Sequence, residues 1–321
     1  MKAPKTLQEA IQYFSDELTC IKAVAVMVWP DGVKCPHCVT PDPYWLETQK
    51  RWKCRQCRKQ FSVKVNTIFE DSPLSLTKWL PALWLLVNCK NGVSSYEISR
   101  DLDISQKSAW FMLQRLRLAL QVSSFSAKKA GGGGCEVEVD ETFIGGKARN
   151  MHKAERQRKI SGTGGKGKAI VFGVLERGGK VHTQVIEDRL RRTVTPIIKE
   201  HVAAGATLYT DEMLGYRGLN DEFIHVMINH AVEYVHGRIH TNGLENFWSL
   251  VKRGLNGTYI SVEPFHLFRY LDEQCFRFNN RATKDNPLDD ADRFLLALSQ
   301  VANKRLTFKE VTGKSGSPAT C

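Results

Sequence analysis

The apolar positions along the chain change period part way. Trp79, Leu80, Leu83, Trp84 and Val87 recur at helical spacing. Ser94 to Leu102 predicts a short helix, and Asp103-Ile104-Ser105 a turn with Ser105 as N-cap. A longer helix follows, with Ala109, Met112, Leu113, Leu116 and Leu120 on its inner face. Gln106, Lys107, Gln114, Arg115 and Arg117 form its polar face. Ala127 to Gly134 then reads as a flexible hinge, because four consecutive glycines hold neither helix nor strand cheaply.

Beyond the hinge the period shortens. Glu136 to Thr142 alternates as a strand, with Val137 and Val139 on one face and Glu138 and Asp140 on the other. Lys168–Leu175 and Val181–Ile186 are two further strands joined at Gly178-Gly179. A helix fits Val194–Ala203, a short strand Thr207–Thr210 ends on Asp211, and Ile224–Ile228 is the last strand. In His240–Lys252, Leu244, Phe247, Trp248 and Val251 make one apolar stripe, while Glu245, Ser249 and Lys252 share another face. This order of strands and helices fits a ribonuclease-H-like domain. The expected fold is α+β and α/β in several domains: residues 1–70, 71–126, the hinge 127–134, a catalytic domain 135–285, and a C-terminal helix and tail 286–321.

Charge and cysteines sharpen this picture. The 321-residue chain is 42% hydrophobic, enough for a real core, and carries a net charge of +12. Lys50 to Lys64 holds seven basic residues and no acidic one, and Lys147 to Lys168 holds eight against Glu155 alone. Such clusters suit a polyanion, most often nucleic acid, although basic solvated surfaces are also common. The longest apolar run, Trp79 to Val87, is too short to span a membrane and contains Pro81. The first ten residues lack an apolar signal core, so a cytoplasmic, nucleoid-associated protein is expected.

Cys35-Pro36-His37-Cys38 and Cys54-Arg55-Gln56-Cys57 are two C-x2-C knuckles with fifteen residues between them. Four thiolates so spaced predict a closed, structural Zn²⁺ site, with Trp45-Leu46 and Arg51-Trp52-Lys53 as hairpin strands. His37 reads as a bystander. A redox C-x-x-C is the alternative, and two pairs weigh against it. Lys53, Arg55, Arg58 and Lys59 surround the second knuckle as candidate DNA contacts. The two helices after it read as a helix-turn-helix, with Lys107, Arg115 and Arg117 facing DNA; an ordinary helical hairpin is the plainer reading.

Asp140, Asp211 and Glu245 are the candidate catalytic carboxylates. Oxygen ligands suit Mg²⁺ or Mn²⁺, and three of them can hold two ions for in-line displacement at phosphorus. Lys252 would hold a nearby phosphate. Glu245 also stands three residues after Asn242, a capping-box spacing that would make it structural. Among its neighbours, Glu138 lies ~7 Å back along the strand, Glu141 should face the opposite side, and Glu212 is the strongest rival. Gly162 to Lys168 imitates a phosphate-binding loop, but Ala169 stands where a hydroxyl is required and a strand follows. It reads as a flexible basic loop, with Lys166 and Lys168 near DNA and no nucleotide cofactor.

Over about residues 15–285 the chain resembles bacterial insertion-sequence transposases of the DDE type with an N-terminal zinc ribbon. The resemblance rests on Trp29-Pro30-Asp31-Gly32, Lys59 to Val63, Thr67-Ile68-Phe69, Val139 to Lys147, Tyr209-Thr210-Asp211, Asn242 to Ser249 and Phe276 to Arg281. It implies binding and cleavage of element ends, joining of the 3′-hydroxyl to target DNA, Asp140, Asp211 and Glu245 as the triad, and Lys252 as the following basic residue. The expected partners are double-stranded DNA and further copies of the chain on it, with no membrane. A zinc-ribbon regulator that binds without cutting, or an inactive repurposed descendant, are the rival readings.

Overall fold

The computed structural model describes residues 4–121, 129–132, 134–146, 152–153, 167–211, 214–216, 218–228, 240–284 and 286–314. Two compact units emerge: Met1–Gln121 with Asn280–Thr320, and Val122–Asn279. In chain order the first unit holds α1 (Leu7–Tyr13), α2 (Glu17–Val28), β1 (Tyr44–Leu46), β2 (Arg51–Lys53), β3 (Gln60–Phe61), α3 (Leu76–Asn88), α4 (Ser95–Asp101) and α5 (Gln106–Leu120). The second holds β4 (Glu136–Ile144), β5 (Ala169–Glu176), β6 (Val181–Ile186), α6 (Arg191–His201), β7 (Thr207–Asp211), β8 (Ile224–Ile228), α7 (Asn242–Gly257) and α8 (Leu267–Asn279). The chain then returns to the first unit with α9 (Asp290–Leu298) and α10 (Phe308–Val311). Among the described residues no helix is long and apolar enough to cross a membrane.

The first unit is organised around α3. This helix is apolar on all sides, with Leu76, Trp79, Leu80, Leu83, Trp84 and Val87 buried, so it must be surrounded. Helices α1, α2, α5 and α9 pack on it. The C-terminal helices α9 and α10 are therefore part of this unit. Phe294 of α9 lies against Phe14 and Trp84, and residues 301–303 hydrogen-bond to residues 66–68. Lys304 Nζ donates to the carbonyls of Ala119 and Gln121, closing the end of α5.

Ser105 caps α5 as its sequence position predicts, and Ser94 caps α4 in a capping box with Glu97. The polar face expected on α5 is a correction. Gln114, Arg115 and Arg117 are buried, at 0%, 4% and 1% exposure, because the C-terminal half of α5 is enclosed. Arg115 donates to the Glu70 carbonyl and lies over the Trp79 and Phe111 rings. Its guanidinium, like that of Arg117, faces protein and cannot reach DNA.

The second unit is a five-stranded mixed sheet, ordered β6-β5-β4-β7-β8, consistent with a ribonuclease-H-like domain. Strands β4, β5 and β6 are antiparallel neighbours, whereas β4–β7 and β7–β8 pair in parallel. Val137, Val139, Phe172 and Val174 pack against α6 on one face. Val171, Leu175 and Val181 pack against α7 and α8 on the other. Coverage of both faces explains why β5 reads as a nearly unbroken apolar run.

Part of the expected hinge is built into this unit. Ala130 bridges Val202, and Gly131 (φ +81°) lies so close to the core that a Cβ there would sit 2.6 Å from Ala206 Cβ. That glycine serves close approach as well as its left-handed backbone. Residues 122–128 of the region lie outside the described residues.

Candidate functional site

Strand topology creates the site. The β4–β7 ladder has only three pairs, Glu136↔Thr207, Val137↔Leu208 and Glu138↔Tyr209. Beyond them β4 runs on to Ile144, while β7 ends at Asp211 still paired to β8. The sheet thus parts at the carboxyl end of β7, a place where open α/β sheets bind ligands. Carboxylate oxygens of Asp140, Glu141 and Asp211 meet there within 4.8 Å of one another, close enough to hold a metal ion.

Glu141 is the unexpected member. Its strand position puts it on the face opposite Asp140, where Tyr216 Oη donates to it. The parting of β4 from β7 nevertheless leaves room for its carboxylate to join the other two. Glu212, named as a rival, lies outside the described residues.

Glu245 does not belong to this tight cluster. It is exposed in the first turn of α7 and lines one cleft of about 410 Å³ with Asp140, Glu141, Trp248, Ser249 and Lys252. Its capping reading is not realised. Thr241, not Asn242, is the N-cap residue, and among the described residues its side chain makes no cap hydrogen bond. Lys252 is exposed on the same cleft, as its helical spacing from Glu245 predicts.

Trp248 does more than fill the apolar stripe. Its Nε1–H donates to Asp140 Oδ2 at 3.0 Å. Gly173, directly across the ladder from Asp140, allows this approach, since a Cβ there would lie 2.5 Å from the indole. Sequence reading missed this contact, although a tryptophan on a stripe facing a carboxylate carries the signal of a polar handle. It also missed Arg189, which lies 4.9 Å over the Phe143 ring and whose charge acts on Glu141.

Burial pushes the Asp140 carboxyl up to about 6, and the charges of Asp211 and Glu245 add to the rise. Burial raises Glu141 to about 7, with Asp211 and Asp140 adding and the Tyr216 hydrogen bond opposing. Crowded carboxylates of this kind favour whatever cation neutralises them, a proton or a metal ion.

In the first unit, Cys35, Cys38, Cys54 and Cys57 form the other cluster able to hold a metal. The sulfurs of Cys35 and Cys57 are 3.7 Å apart and those of Cys38 and Cys54 3.5 Å. A tetrahedron with 2.3 Å Zn–S bonds has edges of about 3.8 Å, so the donor set fits. Beneath it, Trp52 packs with Trp29, Trp45 and Phe61, which explains the aromatic positions flanking the knuckles.

The remaining candidates divide. Arg55, Arg58, Lys59 and Lys107 are exposed and Lys53 is partly so. Lys53 and Arg55 lie over the Tyr44 ring, and Lys107 lies over Phe308. Lys168 is partly exposed beside Gly145, and Lys166 lies outside the described residues.

Known proteins share both units. An ISXO2-like transposase domain matches residues 130–279, and a transposase zinc-ribbon domain matches residues 15–60. An uncharacterized protein in transposable element ISH50 of Halobacterium salinarum is 26% identical over 259 residues, covering 77% of this chain and 85% of that protein. An uncharacterized transposase-like protein of Haemophilus influenzae is 36% identical over 106 residues, 33% of this chain and 85% of that protein. The cysteine tetrad falls inside the zinc-ribbon match and the carboxylate cluster inside the ISXO2-like match, so the chain belongs to the ISXO2-like transposases with an N-terminal zinc ribbon.

Proposed function

We propose that this protein is a DNA transposase that binds the ends of an insertion sequence, cleaves them and joins the freed 3′-hydroxyl to target DNA. The observation that carries the reading is the meeting of Asp140 and Asp211 where β4 and β7 part, with Glu245 and Lys252 lining the same cleft as Asp140. Asp140, Asp211 and Glu245 would hold Mg²⁺ or Mn²⁺, and the oxygen-only donor set suits such hard ions. Two bound ions would activate the attacking oxygen and stabilise the leaving one.

The chain's own groups do the rest. Trp248 fixes the rotamer of Asp140 through its N–H bond. Lys252 supplies positive charge for a DNA phosphate at the cleft. Water breaks the first phosphodiester bond and leaves a 3′-hydroxyl. That hydroxyl then attacks a target phosphodiester, exchanging one such bond for another, so no nucleotide cofactor is needed. The cysteine tetrad holds one structural Zn²⁺, and Lys53, Arg55, Arg58, Lys59 and Lys107 contribute to binding double-stranded DNA, on which copies of the chain assemble.

The test is nicking of a labelled element-end duplex with and without Mg²⁺. Asp140→Asn, Asp211→Asn and Glu245→Gln should each lower the rate by about a thousand-fold or more while leaving end binding intact. Lys252→Ala should slow nicking by about tenfold without abolishing it. Nicking without a divalent ion, or at wild-type rate in the Asp variants, would refute the reading.

A further inference from the structure

Glu138 shares Asp140's face of β4 one pleat earlier and is 1% exposed. A carboxylate so buried needs partners, and besides His240 Nδ1, 3.7 Å from its Oε1, it has a guanidinium and a backbone N–H. Its Oε1 accepts from Arg177 Nε at 2.9 Å. Its Oε2 accepts the backbone N–H of Leu244 at 2.9 Å. Arg177 also donates to Glu136 Oε2 at 3.0 Å and lies 4.2 Å over the Tyr209 ring. The group thereby ties β4 and β7 to the start of α7.

Leu244 is the third residue of α7, so its N–H is one of the groups a helix cannot satisfy internally. The usual partner is the N-cap side chain, which Thr241 does not provide. Glu138 provides it from across the domain, and a negative charge there also suits the helix dipole. Gly243 makes the approach feasible: a Cβ on it would lie 2.7 Å from Glu138 Oε2 and 2.5 Å from Leu175 Cδ2.

We propose that Glu138, held by Arg177, is a positioning residue that fixes the first turn of α7 on the sheet and so sets where Glu245 stands relative to Asp140 and Asp211. Glu245 is the residue directly after the capped one, and Asp140 is two residues from the capping one. One hydrogen bond thus couples the two sides of the cleft. The cap itself stands on geometry alone; its consequence for metal binding rests on the transposase reading.

The experiment uses the full chain and three variants, Glu138→Ala, Glu138→Gln and Gly243→Ala. Amide hydrogen exchange at Leu244 and Glu245 reads the cap, and Mn²⁺ titration and Mg²⁺-dependent nicking read its consequence. Glu138→Ala should speed exchange in this turn by about tenfold while β5 and β6 keep their protection. It should also weaken Mn²⁺ binding by about tenfold, the usual scale for losing a group that orients a ligand. Glu138→Gln, which keeps an acceptor oxygen, should recover most of both effects.

Unchanged exchange in Glu138→Ala overturns the cap. Faster exchange with wild-type Mn²⁺ affinity and nicking overturns the positioning role and leaves an ordinary structural ion pair. If Glu138→Ala does not fold, Gly243→Ala retains both Glu138 and Arg177 while its Cβ forces the helix start and the Glu138 carboxylate apart, and it decides by the same readouts. A wild-type chain that neither binds Mn²⁺ nor nicks DNA refutes the transposase mechanism and the positioning role together, whereas the exchange data still decide the cap.

Discussion

The cysteine tetrad and the carboxylate site are both clusters able to hold a metal, and they are assembled in opposite ways. Each thiol pair comes from one knuckle, and a short hairpin brings the two knuckles together. The carboxylates come from β4, from β7 some seventy residues later, and from a helix later still. The thiols form a closed set at near-tetrahedral distances, with no position left for a reactant. The carboxylates line an open cleft, and Glu245 stands apart from the tight group. A local, closed site serves stability; a site drawn from several elements leaves space for substrate.

Removing the metal should separate the two most sharply. Cys38→Ser, or zinc chelation, should lower zinc from about one ion per chain and melt the ribbon, since structural zinc contributes ~10 kcal/mol or more to folding small domains. Mg²⁺ removal should stop nicking and leave the fold intact. Metal analysis with circular dichroism on the full chain checks both; a zinc-free protein with a normally folded ribbon refutes the closed site.

A smaller effect tests the buried arginines. Arg115→Ala should destabilise the first unit by about 2 kcal/mol through lost packing and a lost hydrogen bond. Arg58→Ala should leave the melting temperature unchanged, weaken DNA binding and lower the slope of log affinity against log salt by about one. Loss of DNA affinity without loss of stability in Arg115→Ala would return that residue to the DNA surface.

The smallest effect concerns protons. With carboxyls near 6 and 7, native Asp140 and Glu141 hold protons that the unfolded chain has released at the same pH. Their contribution is therefore present below about pH 4 and lost as pH rises through 6 and 7. In Mg²⁺-free buffer Asp140→Asn should melt a few degrees above wild type at about pH 7.5 and level with it at about pH 4. Equal melting at both values would mean that neither burial nor the neighbouring carboxylates raise the Asp140 carboxyl.

What was legible in the sequence was whatever lies close along the chain. Knuckle spacing named the four cysteines, alternation named β4, short strand-like runs named β5 to β8 almost to the residue, and Ser105 marked the start of α5. Tertiary structure decided the rest, because period tells which side a residue faces but not what stands opposite. Arg115 and Arg117 looked polar and outward until the C-terminal segment and its neighbours enclosed α5. Glu141 stands on the face opposite Asp140, as alternation predicts, yet its carboxylate joins the cluster, because alternation cannot foresee that β4 loses its partner strand beyond Glu138. Glu245 carried a capping-box spacing as its alternative reading and Glu138 was a neighbour one pleat back along the strand, yet it is Glu138 that accepts an N–H in the first turn of α7. A buried N–H takes the nearest acceptor in space, and only the packed sheet and helix determine which acceptor that is.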